Sequence, residues 1–144
     1  VASAVGLTLD GEVRLVDRDV EMGSAYVYRL EGEDGVVNET MAVVVPVTRA
    51  KLGQNYPNPF NPETRIEYWV AGGTDGSRSA VSLVIYDVRG ARVRTLVSGE
   101  KASGRYAVNW DGRNDHGAPV SSGVYFYRMT ARGFEDSRRM VLLK

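Results

Sequence analysis

The chain has 144 residues, 43% of them hydrophobic, with 18 basic and 18 acidic side chains and no cysteine. That composition fits one ordinary globular domain, or a domain plus a fragment, and excludes a disordered tail. It also excludes disulfides and thiolate metal sites, so the fold must rest on its hydrophobic core. No apolar run approaches the roughly 18 residues of a membrane span.

The zero net charge conceals an asymmetry: residues 1 to 50 carry 4 basic and 9 acidic side chains, and residues 51 to 144 carry 14 and 9. Opposite signs on adjoining units favour docking, although exposed charges beyond a Debye length are screened. The chain opens on Val1 without a charged-then-apolar leader, which reads as a processed product or the end of a longer polypeptide.

Hydrophobic periodicity is of strand type nearly throughout, and no helix is predicted. Strands are expected at 12–16, 25–31 and 40–47, with a further short one from Gly6 to Leu9. Within the second, Tyr26, Tyr28 and Leu30 share one face while Val27, Arg29 and Glu31 share the other. Three or four strands are too few to close two sheets over a core, so this part is incomplete alone.

The stretch Leu52-Gly-Gln-Asn-Tyr-Pro-Asn-Pro-Phe-Asn-Pro-Glu-Thr64 follows, with three of the five prolines inside six residues. Each proline fixes its own φ and disfavours the α region for Tyr56, Asn58 and Asn61, which predicts an extended, semi-rigid connector. Pro57, Pro59 and Pro62 set its shape. The side chains of Tyr56 and Phe60 are expected to anchor it against a neighbouring surface.

Beyond it, strands are predicted at 64–70, 81–87, 92–98, 104–110, 123–131 and 138–143. Val81, Leu83 and Ile85 alternate, as do Tyr106, Val108 and Trp110, and then Tyr125, Tyr127 and Met129. Turn signals such as Arg89-Gly90 and Asp111-Gly112 separate the runs. Six short strands in about 94 residues indicate an antiparallel sandwich of immunoglobulin size. The predicted organisation is a partial β unit at 1–48, a proline-rich connector at 49–63 and a sandwich at 64–144.

Catalysis finds no constellation. His116, the single histidine, lies in the turn-rich loop Asp111 to Gly117 with no cysteine or nucleophile elbow beside it. That loop lacks the alternating oxygen ligands of a calcium site, since Arg113 and His116 stand at its third and sixth positions, so Asx-type turns are expected. Gly72 to Ser77 precedes a strand rather than a helix, and reads as a mobile loop rather than a phosphate cradle. Trp69 and Trp110 read as core or sheet-packing residues. Arg89, Arg92, Arg94, Arg138 and Arg139 offer bidentate donors. The aromatics nevertheless fall on core faces instead of interleaving with them, so no nucleic acid is expected. No enzyme, no metal and no cofactor are predicted.

From Leu52 to Lys144 the chain resembles the C-terminal sorting domains, type A, of bacterial type IX (Por) secretion substrates. The opening Leu52 to Ile66 carries the resemblance, as do Val84-Ile-Tyr-Asp-Val-Arg-Gly90, Arg94-Thr-Leu-Val97 and Gly104 to Asp111. Ser122-Gly-Val-Tyr-Phe-Tyr-Arg128 and the close, Ser137-Arg-Arg-Met-Val-Leu-Leu-Lys144, complete it. The loop Trp110 to Gly123 is fuller and is similar to the immunoglobulin-like domain of flagellar hook-capping proteins. Asp17 to Leu30 resembles later strands of a fibronectin type III repeat, which makes residues 1–48 a partial fibronectin III-like unit.

The resemblance implies an all-β, immunoglobulin-like sandwich at the outer cell surface or outside the cell. Its partners would be the type IX outer-membrane translocon and a sortase-like peptidase that transfers cargo to surface lipopolysaccharide. Within it, the translocon is expected to read Arg138, Arg139, Met140, Val141, Leu142, Leu143 and Lys144, an accessible edge strand with a charged end. The alternative is a structural subunit of an extracellular filament or surface layer, built by neighbouring copies that lend strands to open edges. A hook-cap-like module ranks third.

Overall fold

The computed structural model describes residues 5–7, 13–15, 25–31, 37–44, 47–72 and 76–144. The chain divides into two compact units, Val1–Val45 and Pro46–Lys144. In the first, β1 (Val5–Leu7) pairs antiparallel with β2 (Val13–Leu15), and β3 (Ala25–Glu31) pairs with β4 (Val37–Val44). The fibronectin-like motif expected at Asp17 to Leu30 lies largely outside the described residues, as do positions 73–75 of the glycine-rich loop.

The second unit is an antiparallel immunoglobulin-like sandwich, and no helix occurs among the described residues. Its strands are β5 (Lys51–Leu52), β6 (Thr64–Val70), β7 (Ser79–Tyr86), β8 (Arg92–Lys101), β9 (Gly104–Trp110), β10 (Gly123–Ala131) and β11 (Phe134–Leu142). One sheet has the order β5-β6-β9 and the other β11-β10-β7-β8. Strict alternation fills the space between them. Ile66, Tyr68 and Val70 meet Val81, Leu83 and Ile85, with Tyr125, Tyr127 and Met129 and then Met140 and Leu142 completing the core.

Trp110 is fully buried at the centre of an aromatic group. Its ring lies 5.5 Å from Phe60 and 5.2 Å from Tyr125, and its indole N–H donates to the Arg113 carbonyl at 2.8 Å. Trp69 sits on the outward face instead, with Lys51 Nζ 4.9 Å and the Arg105 guanidinium 5.5 Å from its ring centroid.

The last strand starts four residues before its predicted position. Phe134-Glu-Asp-Ser137 has weak strand propensity, but Gly133, at φ +67°, closes a two-residue turn that pairs Ala131 with Phe134 and so imposes the register of β10 on the whole segment. Residues 49–63, expected as a connector, are part of the sandwich unit and place Leu52 and Phe60 in its core.

Because Trp110 joins ring packing to a hydrogen bond, its removal should be among the costliest single changes. Trp110→Ala is expected to lower the unfolding free energy by about 3–5 kcal/mol, read from the urea midpoint; a loss below about 1 kcal/mol would contradict this packing.

Candidate functional site: the proline strap on the final strand

The proline segment does not run as a rod. It bends at residues 57–59 and 61–62 and returns, so that Tyr56 and Arg65 exchange two backbone hydrogen bonds of 2.9 Å. The reason is tertiary: the Pro57 carbonyl accepts from Thr64 Oγ1 at 2.8 Å and from Asn55 Nδ2 at 3.2 Å, which holds the chain in its bend. Asn55 Nδ2 also donates to Thr64 Oγ1 at 3.0 Å. Local proline preferences alone could not show this. Gly53 is required at the start of the strap, since a Cβ there would stand 2.8 Å from the Glu67 carbonyl oxygen.

One side of the strap follows β6, and the other lies on β11. Phe60 N–H donates to the Val141 carbonyl, and Leu143 N–H donates to the Phe60 carbonyl, each at 2.9 Å, which forms a one-residue parallel bridge to Leu142. Val141 N–H donates to Asn58 Oδ1 at 3.0 Å, and Gln54 Nε2 donates to the Arg139 carbonyl at 3.0 Å. From the strand side, Arg138 Nε donates to the Leu52 carbonyl at 2.8 Å. Residues 52 to 60 therefore occupy the outer edge of β11 where an added strand would pair.

Tyr127 fixes the middle of the strap from the core. Its hydroxyl donates to the Gly53 carbonyl and accepts from Asn55 N–H, both at 2.8 Å, and burial pushes the phenol up to about 12. The Asn55 N–H and the Arg138 charge oppose that shift more weakly. No buried side-chain polar atom is left without a partner among the described residues.

These contacts revise two expectations. Phe60 anchors as expected, with 2% exposure, but the Tyr56 ring is 80% exposed and that residue is held through its backbone alone. Pro57, Pro59 and Pro62 also lie at the surface, and shape the strap rather than pack it.

The final strand is not an open edge either. Met140 and Leu142 are fully buried, and the backbone between Arg139 and Leu143 is bonded to the strap. What remains reachable is the side chains of Arg139, Leu143 (52% exposed) and Lys144, with Val141 half-buried and Arg138 turned to the strap and, at 3.6 Å, to Asp136.

The loop from Asp111 to Val120 treats the opposite edge in a similar way. Asn114 Oδ1 accepts from the backbone N–H of His116 and Ala118, each at 3.0 Å, the Asx turn expected from the sequence. Asp115 N–H donates to the Val93 carbonyl and Asp115 Oδ1 accepts from Thr95 N–H, covering part of β8. Asp111 Oδ1 accepts from Arg94 Nη1 at 3.0 Å and from Arg113 N–H at 3.1 Å. His116 stands exposed beside these turns. Among the described residues no cluster of three metal-ligating side chains occurs, and no helix is long and apolar enough to cross a membrane.

One surface feature was missed by sequence reading. Tyr86 and Phe126 face outward and interleave with Arg92, Arg128 and Arg139. The expectation that the aromatics fall on core faces fails for these two: Phe126 lies between the inward Tyr125 and Tyr127, and the pairing of β10 with β7 sets it beside Tyr86.

This is an all-β chain carrying an immunoglobulin-like sandwich with strapped edges. Over residues 70–133 it matches the profile of the FlgD Ig-like domain. No curated protein matches it. Among solved structures it is similar to dimeric latent PorU from Porphyromonas gingivalis, at 20% identity and a TM-score of 0.53. That match covers 86% of this chain and 12% of PorU. PorZ of the same organism, described as an essential surface component of the type-IX secretion system, matches at 23% identity and a TM-score of 0.41, over 63% of this chain and 11% of PorZ. The Pseudomonas fluorescens DNA glycosylase AlkC matches at 13% identity and a TM-score of 0.45, over 66% of this chain and 30% of AlkC. The chain thus spans a small part of the proteins that it matches.

Tyr127 yields a pH signature. An unfolded phenol ionises near about 10, so the stability from holding this one neutral is fully present below that pH. It is lost as pH rises toward 12, at roughly 1.4 kcal/mol per unit. Tyr127→Phe should flatten that slope in urea unfolding, while costing about 1–3 kcal/mol at pH 7 by stranding Asn55 N–H; an unchanged slope would contradict the assignment.

Proposed function

We propose that this chain is the C-terminal region of an exported bacterial surface protein, and that its sandwich is a sorting and anchoring signal for type IX secretion. The role is recognition rather than catalysis. One observation carries the reading: Gln54–Phe60 and Arg139–Leu143, which fall within the first and last motifs of the sorting-domain resemblance, form one hydrogen-bonded unit although about 80 residues separate them. The immunoglobulin-like fold shared with PorU is in keeping with it. In this reading the translocon meets the side chains of Arg139, Leu143 and Lys144 on a strand whose backbone is already satisfied. A sortase-like peptidase would then process the exported chain at the cell surface.

A second reading is favoured by the match to the FlgD Ig-like domain over residues 70–133, and makes the sandwich a retained structural module of an extracellular assembly. Export separates the two. The 144-residue chain fused behind a passive periplasmic carrier should bring that carrier to the surface of a type IX-competent cell. Replacing Arg139, Leu143 and Lys144 by Ser should reduce surface display at least tenfold at equal abundance. A carrier that stays periplasmic with the native chain attached would sink the sorting reading.

A further inference from the structure

The outward face of the four-stranded sheet carries a row of side chains of which the export reading uses Arg139 alone. Phe126 is the cross-strand partner of both Arg139 and Tyr86, and Tyr86 is the partner of Arg92, so one line crosses β11, β10, β7 and β8. Residues paired in regular register share a face; between Ile85 and Tyr86 the register to β8 shifts, and Arg92 is on the outward face because its neighbour Val93 packs inward on the core. Arg128, two residues along β10 from Phe126, lays its guanidinium 5.2 Å from the centroid of the Tyr86 ring.

Beside this row is a depression of about 350 Å³, lined among others by Tyr86, Val88, Phe126, Arg128 and Ser137. Its floor is apolar and solvent-facing: Val88 is 69% exposed and Phe126 39%. Neither Arg128 nor Arg139 is in an ion pair among the described residues, and Arg92 has a loose contact of 3.7 Å to Asp115. The Asp87 carboxylate at the rim is turned into its own loop, accepting from Arg89 and Ala91 N–H at 2.9 Å. The face therefore offers available guanidinium groups around an exposed apolar spot. Arginine and aromatic side chains are the residue types that dominate protein-binding hot spots.

The dimensions select the ligand. Neighbouring strands lie about 4.8 Å apart, so three gaps put Arg139 and Arg92 about 14 Å apart at their backbones. An extended peptide advances about 3.4 Å per residue, so carboxylates four residues apart span nearly the same distance. The side chain midway between them falls over the Phe126–Tyr86 pair. Each guanidinium can take a carboxylate bidentately. A nucleic-acid strand would need successive free ring faces to stack on, whereas Tyr86 already has Arg128 on its ring.

We propose that this face binds an extended acidic segment of a partner protein, with the pattern acidic-x-apolar-x-acidic. The segment lies across the strands, its two carboxylates on Arg139 and Arg92 and its apolar side chain in the depression beside Val88 and Phe126. Charge complementarity sets its direction of approach, and the apolar residue sets its register. This goes beyond the export reading and does not depend on it.

The test uses the full 144-residue chain and a fluorescent peptide, Glu-Ser-Phe-Ser-Glu, followed by anisotropy at low salt. Saturable binding is expected, weakened at least tenfold by Phe126→Ala and by Arg139→Glu. Arg78→Ala, away from the row, should leave it unchanged. Both affected side chains are exposed, and unaltered unfolding midpoints keep loss of binding separate from loss of fold. Equal affinity for a peptide with Lys in place of Glu would overturn the proposal, as would no saturation at millimolar peptide. Tighter binding of a uronate polymer or an oligonucleotide, sensitive to the same two substitutions, would overturn the peptide assignment in favour of that ligand.

Discussion

Two sheets packed face to face bury a core but leave strand edges whose backbone groups need partners, and here a single strap serves one edge of each sheet. On β6 it supplies the two-residue strand β5, the Gly53 bond to Glu67 and the paired bonds of Tyr56 to Arg65. On β11 it supplies Phe60, Asn58 and Gln54. Phe60 also closes the core between the sheets, against Trp110. Packing and edge closure therefore depend on the same few residues. A buried backbone group without a partner costs about 1–3 kcal/mol, so losing the strap would remove apolar burial and strand several such groups together.

The same logic recurs across the sandwich. Asp115 bonds Val93 and Thr95 on β8, and the loop that carries it is stiffened by Asn114 and by Trp110 donating to the Arg113 carbonyl. Strap and loop thus cover the edges at β6 and β11 and part of β8, and resist pairing with strands of other chains there. For a recognition module this has a consequence. At these covered edges partners read side chains: the exposed end of β11 in one case and the arginine–aromatic row in the other. The two surfaces meet at Arg139, which belongs to both.

Much of this was legible in the sequence where packing is local and periodic. The alternation in 104–110 and 123–131 fixed the observed limits of those strands, because a half-buried strand must repeat every second residue. The start of β11 was hidden, since Phe134 to Ser137 is a strand by virtue of its neighbour and not of its own propensity. The strap was visible as a proline cluster, but its course depends on Thr64, Tyr127 and Val141. Proline chemistry restricts φ and removes donors; it does not say which distant carbonyl or amide the chain will meet. Tyr56 illustrates the limit, as an aromatic residue in an anchored segment that nevertheless stands 80% exposed. Likewise, alternation put Phe126 on the outward face, yet only the strand order brings it beside Tyr86 and Arg139.

The central claim is that the strap is part of the cooperative fold and not a tether lying on it. Native-state hydrogen exchange of the Phe60, Val141 and Leu143 amides tests this most directly, because their partners lie across the strap–strand junction. All three should exchange with the slow rates of core amides in β7 and β10, reporting global unfolding. Exchange of these three at the rates of an unprotected peptide, while β7 and β10 stay protected, would show a strap that opens by itself and would contradict the account.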